Sequence, residues 1–176
     1  MSDNLSLTKK LDAYRRLQMK HDEIFHFEIL ALGVSRRMSH IALHLIKYLR
    51  PLSSLPVSAP ENKRALVDAF IMVISASNLL GVSLSVDPIS NEDINPDKSF
   101  INTYVQFLAD LAKSCEAADH QEDYPIRATW NKAIQQLFFL LSKEAAARNI
   151  NILEEAACRL TSVEKSNSLN YILSEK

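Results

Sequence analysis

The sequence contains little glycine, little cysteine and no excess of charge of either sign. It has two glycines among 176 residues, whereas a β-rich fold of this length needs more of them for its tight turns. Neither Gly33 nor Gly81 stands in a glycine-rich phosphate-binding motif. These shortages argue against a β-sheet fold and against a P-loop nucleotide-binding protein.

The two cysteines, Cys115 and Cys158, are too few for a disulfide framework, which indicates a reducing compartment. Twenty basic and twenty-one acidic residues give a net charge of −1. Nucleic acid is not expected as a partner, because phosphate binding requires a concentrated basic surface. The first residues are polar, and no apolar run approaches the roughly 20 residues that span a bilayer. A cytoplasmic protein without a membrane segment is predicted.

The remaining composition favours helices. Hydrophobic residues make up 47% of the chain, and the long segments are rich in Ala, Leu, Lys, Glu and Gln, which helices prefer. The sequence therefore predicts one all-α domain over residues 1–176, with about six helices in a bundle. The predicted helices run from a Ser6–Thr8 cap to about 33, then over about 36–49, 61–81, 100–119 and 126–148, with a sixth that Asn151 caps.

Two details of this prediction concern the first half of the chain. Pro51, Pro56 and Pro60 are expected to end the second helix and to keep residues 51–60 extended or looped. The first helix is expected to bury the apolar residues that recur at helical spacing. They are Leu11, Tyr14, Leu17, Ile24, Phe25 and Leu32.

Two segments read alike, 68 positions apart. Each is an apolar helix that ends at a residue tolerant of left-handed backbone, Gly81 in one and Asn149 in the other, and continues into an apolar-polar-apolar exit. The match predicts two related three-helix halves, 1–87 and 99–164, joined by a linker at 88–98.

The first of these segments contains Ala65-Leu66-Val67-Asp68 and, later, Asn78-Leu79-Leu80-Gly81-Val82-Ser83-Leu84. It resembles the third helix and exit turn of the MazG-like, all-α nucleoside triphosphate pyrophosphohydrolases. In that family an acidic residue stands three positions before an Asp, and a Gly-Ile-Asp-Leu-like exit follows. Asp68 matches the family's Asp, while Ala65 replaces the acid.

The preceding helix of that family carries a Glu-Glu-x-x-Glu motif, and its acids hold Mg²⁺ together with the Asp. The repeat spacing puts Lys47-Tyr48-Leu49-Arg50-Pro51 at this place in the first half and Cys115-Glu116-Ala117-Ala118-Asp119 in the second. In the second half, Gln136 and Ala133 replace Asp68 and Ala65. The resemblance thus implies a Mg²⁺ site composed of Asp68, Glu116 and Asp119. It also implies that Lys47 or Arg50 contacts a phosphate group of the nucleotide.

Two functions stay open on this basis. The resemblance implies a Mg²⁺-dependent nucleoside triphosphate pyrophosphohydrolase, or a catalytically degenerate relative of one, with a nucleotide as its ligand. The alternative is a non-catalytic helical interaction or regulatory protein. It would be a homo-oligomer whose interface is formed by the apolar third and fifth helices.

Histidines supply two further patterns. His40 and His44 lie at i and i+4 on one helix face, a spacing that can bind Zn²⁺, or they are half-buried histidines beside an apolar stripe. Glu23 and His26 form a single Glu-x-x-His, a motif that di-iron bundles use twice, or else a solvent-facing pair.

Overall fold

The computed structural model describes residues 2–84 and 99–161, with side chains from residue 9 onward. Seven helices and no strand occur in this part of the chain, which confirms the all-α prediction. They are α1 (Ser2–Phe25), α2 (Phe27–Leu30), α3 (Val34–Ser54), α4 (Pro60–Leu79), α5 (Phe100–His120), α6 (Ile126–Ala147) and α7 (152–161). The predicted linker 88–98 and the chain beyond residue 161 lie outside the described residues.

Four helices form the centre of the bundle. The short connections 55–59 and 121–125 make α3–α4 and α5–α6 two helical hairpins. They face each other because α3 packs on α5 and α4 packs on α6, while α1 packs on α4. The buried apolar side chains of all these helices form one continuous core, which extends from Leu11 in α1 to Leu160 in α7. Both predicted halves therefore contribute to a single core.

The two similar segments end as the sequence predicts. Gly81 and Asn149 both have left-handed backbone, with φ of 66° and 56°. In each case the next residue donates its N–H back to a carbonyl near the helix end, as in a Schellman motif. These bonds are Val82 to Ser77 at 2.8 Å and Ile150 to Ala145 at 2.9 Å.

The end of α5 has the same geometry without belonging to the repeat. Gln121 has a φ of 55°, and Glu122 donates its N–H to the carbonyl of Ala117 at 3.0 Å. This ending is therefore a general way of satisfying helix carbonyls in this bundle.

The prediction that Pro51 ends the second helix is wrong, because α3 continues to Ser54. Proline removes one hydrogen-bond donor, but its fixed φ is compatible with helix. The last turn is retained because Leu52 is buried in the core and because the side chain of Asn62 donates to carbonyls at the end of the helix.

Asn62 is completely buried at the start of α4. Its Nδ2 donates to the carbonyls of Pro51, Leu52 and Leu55 at 3.1, 3.4 and 2.9 Å. Its Oδ1 accepts from Nη1 of Arg148, just past the end of α6, at 2.8 Å. One amide thus joins the end of α3, the start of α4 and the end of α6.

The predicted inward face of the first helix is only partly correct. Leu11 and Tyr14 are buried, but Leu17 and Ile24 are 46% and 67% exposed. The polar residues Gln18 and His21 are buried in their place. The helix is also interrupted at His26, which separates α1 from α2. The hydrophobic pattern does not predict which side chains are buried here, because the second half of α1 faces a polar cleft.

The third and fifth predicted helices correspond to α4 and α6, and their apolar side chains fill the core. Among the described residues, no large exposed hydrophobic side chain belongs to either helix. Packing within the chain thus covers most of the apolar surface of these two helices, and the homo-oligomer stays a prediction. Within the described ranges, no helix combines the length and apolar character needed to cross a membrane.

Replacement of Asn62 by alanine should lower the free energy of unfolding by about 2–4 kcal/mol, because it removes the donor to the buried carbonyl of Leu52 and one hydrogen bond of Arg148. Chemical denaturation measures the change. Asn102→Ala is the matched control, because Asn102 is exposed, and it should shift stability by about 0.5 kcal/mol or less. Equal effects of the two substitutions would contradict the role of Asn62.

Candidate metal centre

A cleft of about 400 Å³ opens between α1, α2, α3, α4 and α7. Four of the five histidines in the chain line it, namely His21, His26, His40 and His44. Titratable and hydroxyl side chains complete its polar wall. They include Asp22, Glu28, Arg37, Tyr48, Asp68, Ser75 and Arg159.

His21, Asp22 and His26 form a cluster on one side of the cleft. One potential ligand atom from each lies within 4.8 Å of the others. Asp22 and His26 are one helical turn apart, and the interruption after Phe25 leaves His26 at the joint between α1 and α2. The exposed fraction of the side chain falls from 44% for His26 to 15% for Asp22 and 3% for His21. The three side chains therefore lie at increasing depth below the surface.

His21 is a buried imidazole without a hydrogen bond. Neither of its ring nitrogens has a partner among the described residues. Its Nδ1 lies 3.8 Å from Oδ1 of Asp22, beyond hydrogen-bond distance. A buried polar group left unpaired costs about 1–3 kcal/mol. A metal ion bound to one ring nitrogen would supply a partner that the described residues do not provide.

The carboxylate of Asp22 is held in place by two other side chains. Oδ1 accepts from Nε2 of Gln18 at 2.8 Å, and Oδ2 accepts from Oγ of Ser75 on α4 at 2.8 Å. Hydrogen bonds of this kind orient a carboxylate ligand before a metal binds. The carboxylate of Asp22 therefore has a fixed orientation in the cleft.

The opposite wall belongs to α3, where the rings of His40 and His44 lie 4.4 Å apart between centroids. Burial, followed by the charge of Lys47, lowers the pKa of His44 to about 4. Burial, followed by the charge of His26, also lowers the pKa of His40. Both imidazoles are neutral near pH 7, the form in which histidine binds metals. His21, His26, His40 and His44 all line the cleft, so the histidines of α1 and its end face those of α3 across a common space.

Tyr48 lies on the same face of α3, one turn beyond His44. Burial, followed by the charge of Asp68, raises the pKa of Tyr48 to about 12. Its hydroxyl is therefore protonated at neutral pH and can donate a hydrogen bond to a ligand in the cleft.

The residues predicted from the resemblance lie in different places. Asp68 lines the cleft, where its Oδ1 accepts from Nε of Arg159 at 2.9 Å. Glu116 is exposed on α5 and pairs with Lys113 at 2.9 Å. Asp119, near the end of α5, accepts a 2.6 Å hydrogen bond from Oγ of Ser35.

The described residues contain two groups of three or more potential metal ligands, and neither holds all three predicted acids. The first is the cluster in the cleft. The second, Glu116, His120 and Glu122, is exposed, and Lys113 bonds to both of its acids at 2.9 and 2.7 Å. Asp68 and Asp119 belong to neither of these groups.

Lys47 and Arg50, predicted to contact phosphate, are both exposed on α3. Nζ of Lys47 lies 3.4 Å from Nδ1 of His44 and 4.9 Å from the ring centroid of Tyr48, just outside the cleft. Neither of the two is among the described residues that line the cleft.

Both histidine patterns in the sequence contain residues that line the cleft, but Glu23 is not one of them. Glu23 is exposed, whereas Asp22 is the acid that lies beside His26. The spacing of i and i+4 between Asp22 and His26 is the signal that could have identified the pair. Sequence alone could not show that His40 and His44 face it across the cleft.

This chain matches no protein-family model, and no curated protein or solved structure is significantly similar to it.

The depressed pKa of His44 predicts how the stability of the metal-free protein changes with pH. Its pKa is about 4 in the folded chain, below the usual 6.5, so the unfolded state binds more protons and stability falls as the pH drops from about 6.5 to about 4. Over this pH range, we expect the free energy of unfolding of the wild type to fall on the order of 1 kcal/mol further than that of His44→Gln. The difference is no larger because solvent screens the half-exposed side chain of His44.

Denaturation in the presence of a chelator, at several pH values from 4 to 8, measures this difference between the two proteins. His40, His26, Lys47 and Asp68 are the charged or titratable neighbours that act on His44, and all are retained in the variant. The expectation fails if the wild type and His44→Gln lose stability in parallel.

Proposed function

We propose that this protein binds a divalent transition-metal ion through His21, Asp22 and His26, and that the ion activates water for the hydrolysis of a ligand in the cleft. The observation that carries the proposal is the buried, unpaired imidazole of His21 beside Asp22 and His26. A purely structural histidine at this depth would be expected to have a hydrogen-bond partner.

The chemistry of the donors indicates which ions fit. Two imidazoles and one carboxylate suit Zn²⁺, Fe²⁺ or similar ions. Mg²⁺ prefers an all-oxygen, near-octahedral environment, so this cluster does not favour it. Three protein ligands also leave a coordination position for water, the arrangement of catalytic rather than structural zinc sites.

The spacing of the donors is compatible with one ion. Ligand atoms about 2.1 Å from one tetrahedral ion lie about 3.4 Å apart, and the three donors here lie within 4.8 Å of one another. Binding therefore requires the donors to move closer together by up to about 1.4 Å. His26 can provide this movement, because it is half exposed and lies at the joint between two helices, while Asp22 is already fixed by Gln18 and Ser75.

The neighbouring side chains are suited to hydrolysis. A metal ion in such a site brings the pKa of its bound water close to 7. Neutral His40 and His44 line the same cleft and can accept a proton, and the protonated Tyr48 can donate a hydrogen bond to the ligand.

Pyrophosphohydrolysis of a nucleoside triphosphate is the specific reaction that we propose to test. Asp68, the residue that matches the MazG-like pattern, lines the cleft that contains the histidine cluster. A cytoplasmic setting agrees with the two unpaired cysteines. Burial raises the pKa of the Cys115 thiol, which disfavours a role as nucleophile.

Metal binding is tested by calorimetry and by the visible spectrum of the Co²⁺-substituted protein. We expect one ion per chain, with His26→Ala and Asp22→Ala weakening binding by more than the 10–100-fold that is typical when a supporting residue is lost. His120→Ala, in the exposed group on α5, is the matched control and should bind as the wild type does. Loss of binding in His120→Ala with retention in His26→Ala would refute the assignment.

Activity is tested separately by release of pyrophosphate from each nucleoside triphosphate in Zn²⁺, Mn²⁺ or Mg²⁺. We expect turnover with Zn²⁺ or Mn²⁺ to exceed that with Mg²⁺, and His26→Ala to abolish it. Turnover that depends on Mg²⁺ and survives in His26→Ala would place the chemistry outside the histidine cluster. If the protein binds Zn²⁺ but releases no pyrophosphate, the proposal of a metal centre stands and this reaction is excluded.

A further inference from the structure

We infer that the ligand of the cleft carries an oxyanion group, a carboxylate or a phosphate, and that Arg37 binds this group beside the metal ion. The inference extends the proposed metal centre and depends on it. It concerns the chemical class of the ligand, which the donor cluster alone does not specify.

Arg37 lies in the first turns of α3 and lines the cleft. Its side chain is partly buried, yet its guanidinium has no hydrogen bond or ion pair with any described residue. The other arginine in the cleft wall, Arg159, is engaged with Asp68 at 2.9 Å. A guanidinium that faces a cleft without a partner is suited to a planar or tetrahedral oxyanion, which it can bind through two parallel hydrogen bonds.

The position of Arg37 on α3 supports the same conclusion. Arg37, His40 and His44 are spaced at i, i+3 and i+7, so they share one helix face, and all three line the cleft. The neighbouring Arg36 is exposed and lies on another face. An anion held by Arg37 would therefore lie on the same wall as the neutral histidines of α3.

The charges of the cleft couple anion binding to the metal. Its lining has two positive side chains, Arg37 and Arg159, and three negative ones, Asp22, Glu28 and Asp68, so it carries a charge of −1 while the histidines are neutral. A bound divalent ion changes this to +1. An anion should thus bind well only to the metal-loaded protein, and the cleft volume of about 400 Å³ is sufficient for a small organic ligand.

The test uses Co²⁺-loaded protein, whose visible spectrum reports ligands that reach the metal, titrated with inorganic phosphate or with acetate. We expect Arg37→Gln to raise the dissociation constant of the anion about tenfold or more, since it removes a charge-assisted contact. Arg36→Gln is the matched control and should behave as the wild type does. Tighter binding of phosphate identifies a phosphorylated ligand, and tighter binding of acetate identifies a carboxylate.

The outcomes separate this inference from the metal proposal. Equal anion affinity in Arg37→Gln and the wild type, or an equal loss in Arg36→Gln, overturns the role of Arg37 while the metal centre stands. A wild-type protein that binds no Co²⁺ overturns both. Arg37→Lys, which keeps the charge but not the forked geometry, replaces Arg37→Gln if that variant fails to fold, and an intermediate affinity is expected from it.

Discussion

The buried amide of Asn62 is the contact on which the arrangement of the helices depends. It pairs with carbonyls at the end of α3 and with Arg148 after α6, while its own backbone begins α4. The amide of Asn62 is completely buried, so any other arrangement would leave it unpaired at a large cost. Asn62 thereby fixes how α3 lies along α4. The two walls of the cleft that carry His44 and Asp68 belong to these same helices.

The cleft exists because the second half of α1 places polar residues where the first half places apolar ones. Gln18 and His21 are buried in the positions that a regular amphipathic helix would give to Leu or Ile. Burial of these polar side chains costs free energy, which the apolar core formed by α3, α4, α5 and α6 can offset. Local departures of this kind from hydrophobic patterning are expected at functional sites. The same region contains the helix interruption at His26 and the two hydrogen bonds that hold Asp22.

The sequence was a good guide to the elements, but it did not show which polar side chains meet in the cleft. Helix periodicity and low glycine content predict the all-α bundle, and the left-handed ends at Gly81 and Asn149 follow from local sterics. The continuation of α3 through Pro51 was missed because its cap comes from a residue in the next helix. Among the five residues chosen from the resemblance, only Asp68 lies in the cleft. The histidine patterns were visible, but nothing local relates His26 to His40.

The sequence by itself determined the helical class, the positions of most helix ends and the approximate core, because propensity, capping and hydrophobic periodicity act over a few neighbouring residues. Only the tertiary structure decided which polar side chains meet. His21, Asp22 and His26 face His40, His44 and Arg37 because the packing of α1 and α3 against α4 sets their rotation and register. That packing is decided by the volume and burial of side chains far apart in the chain, which no short pattern encodes.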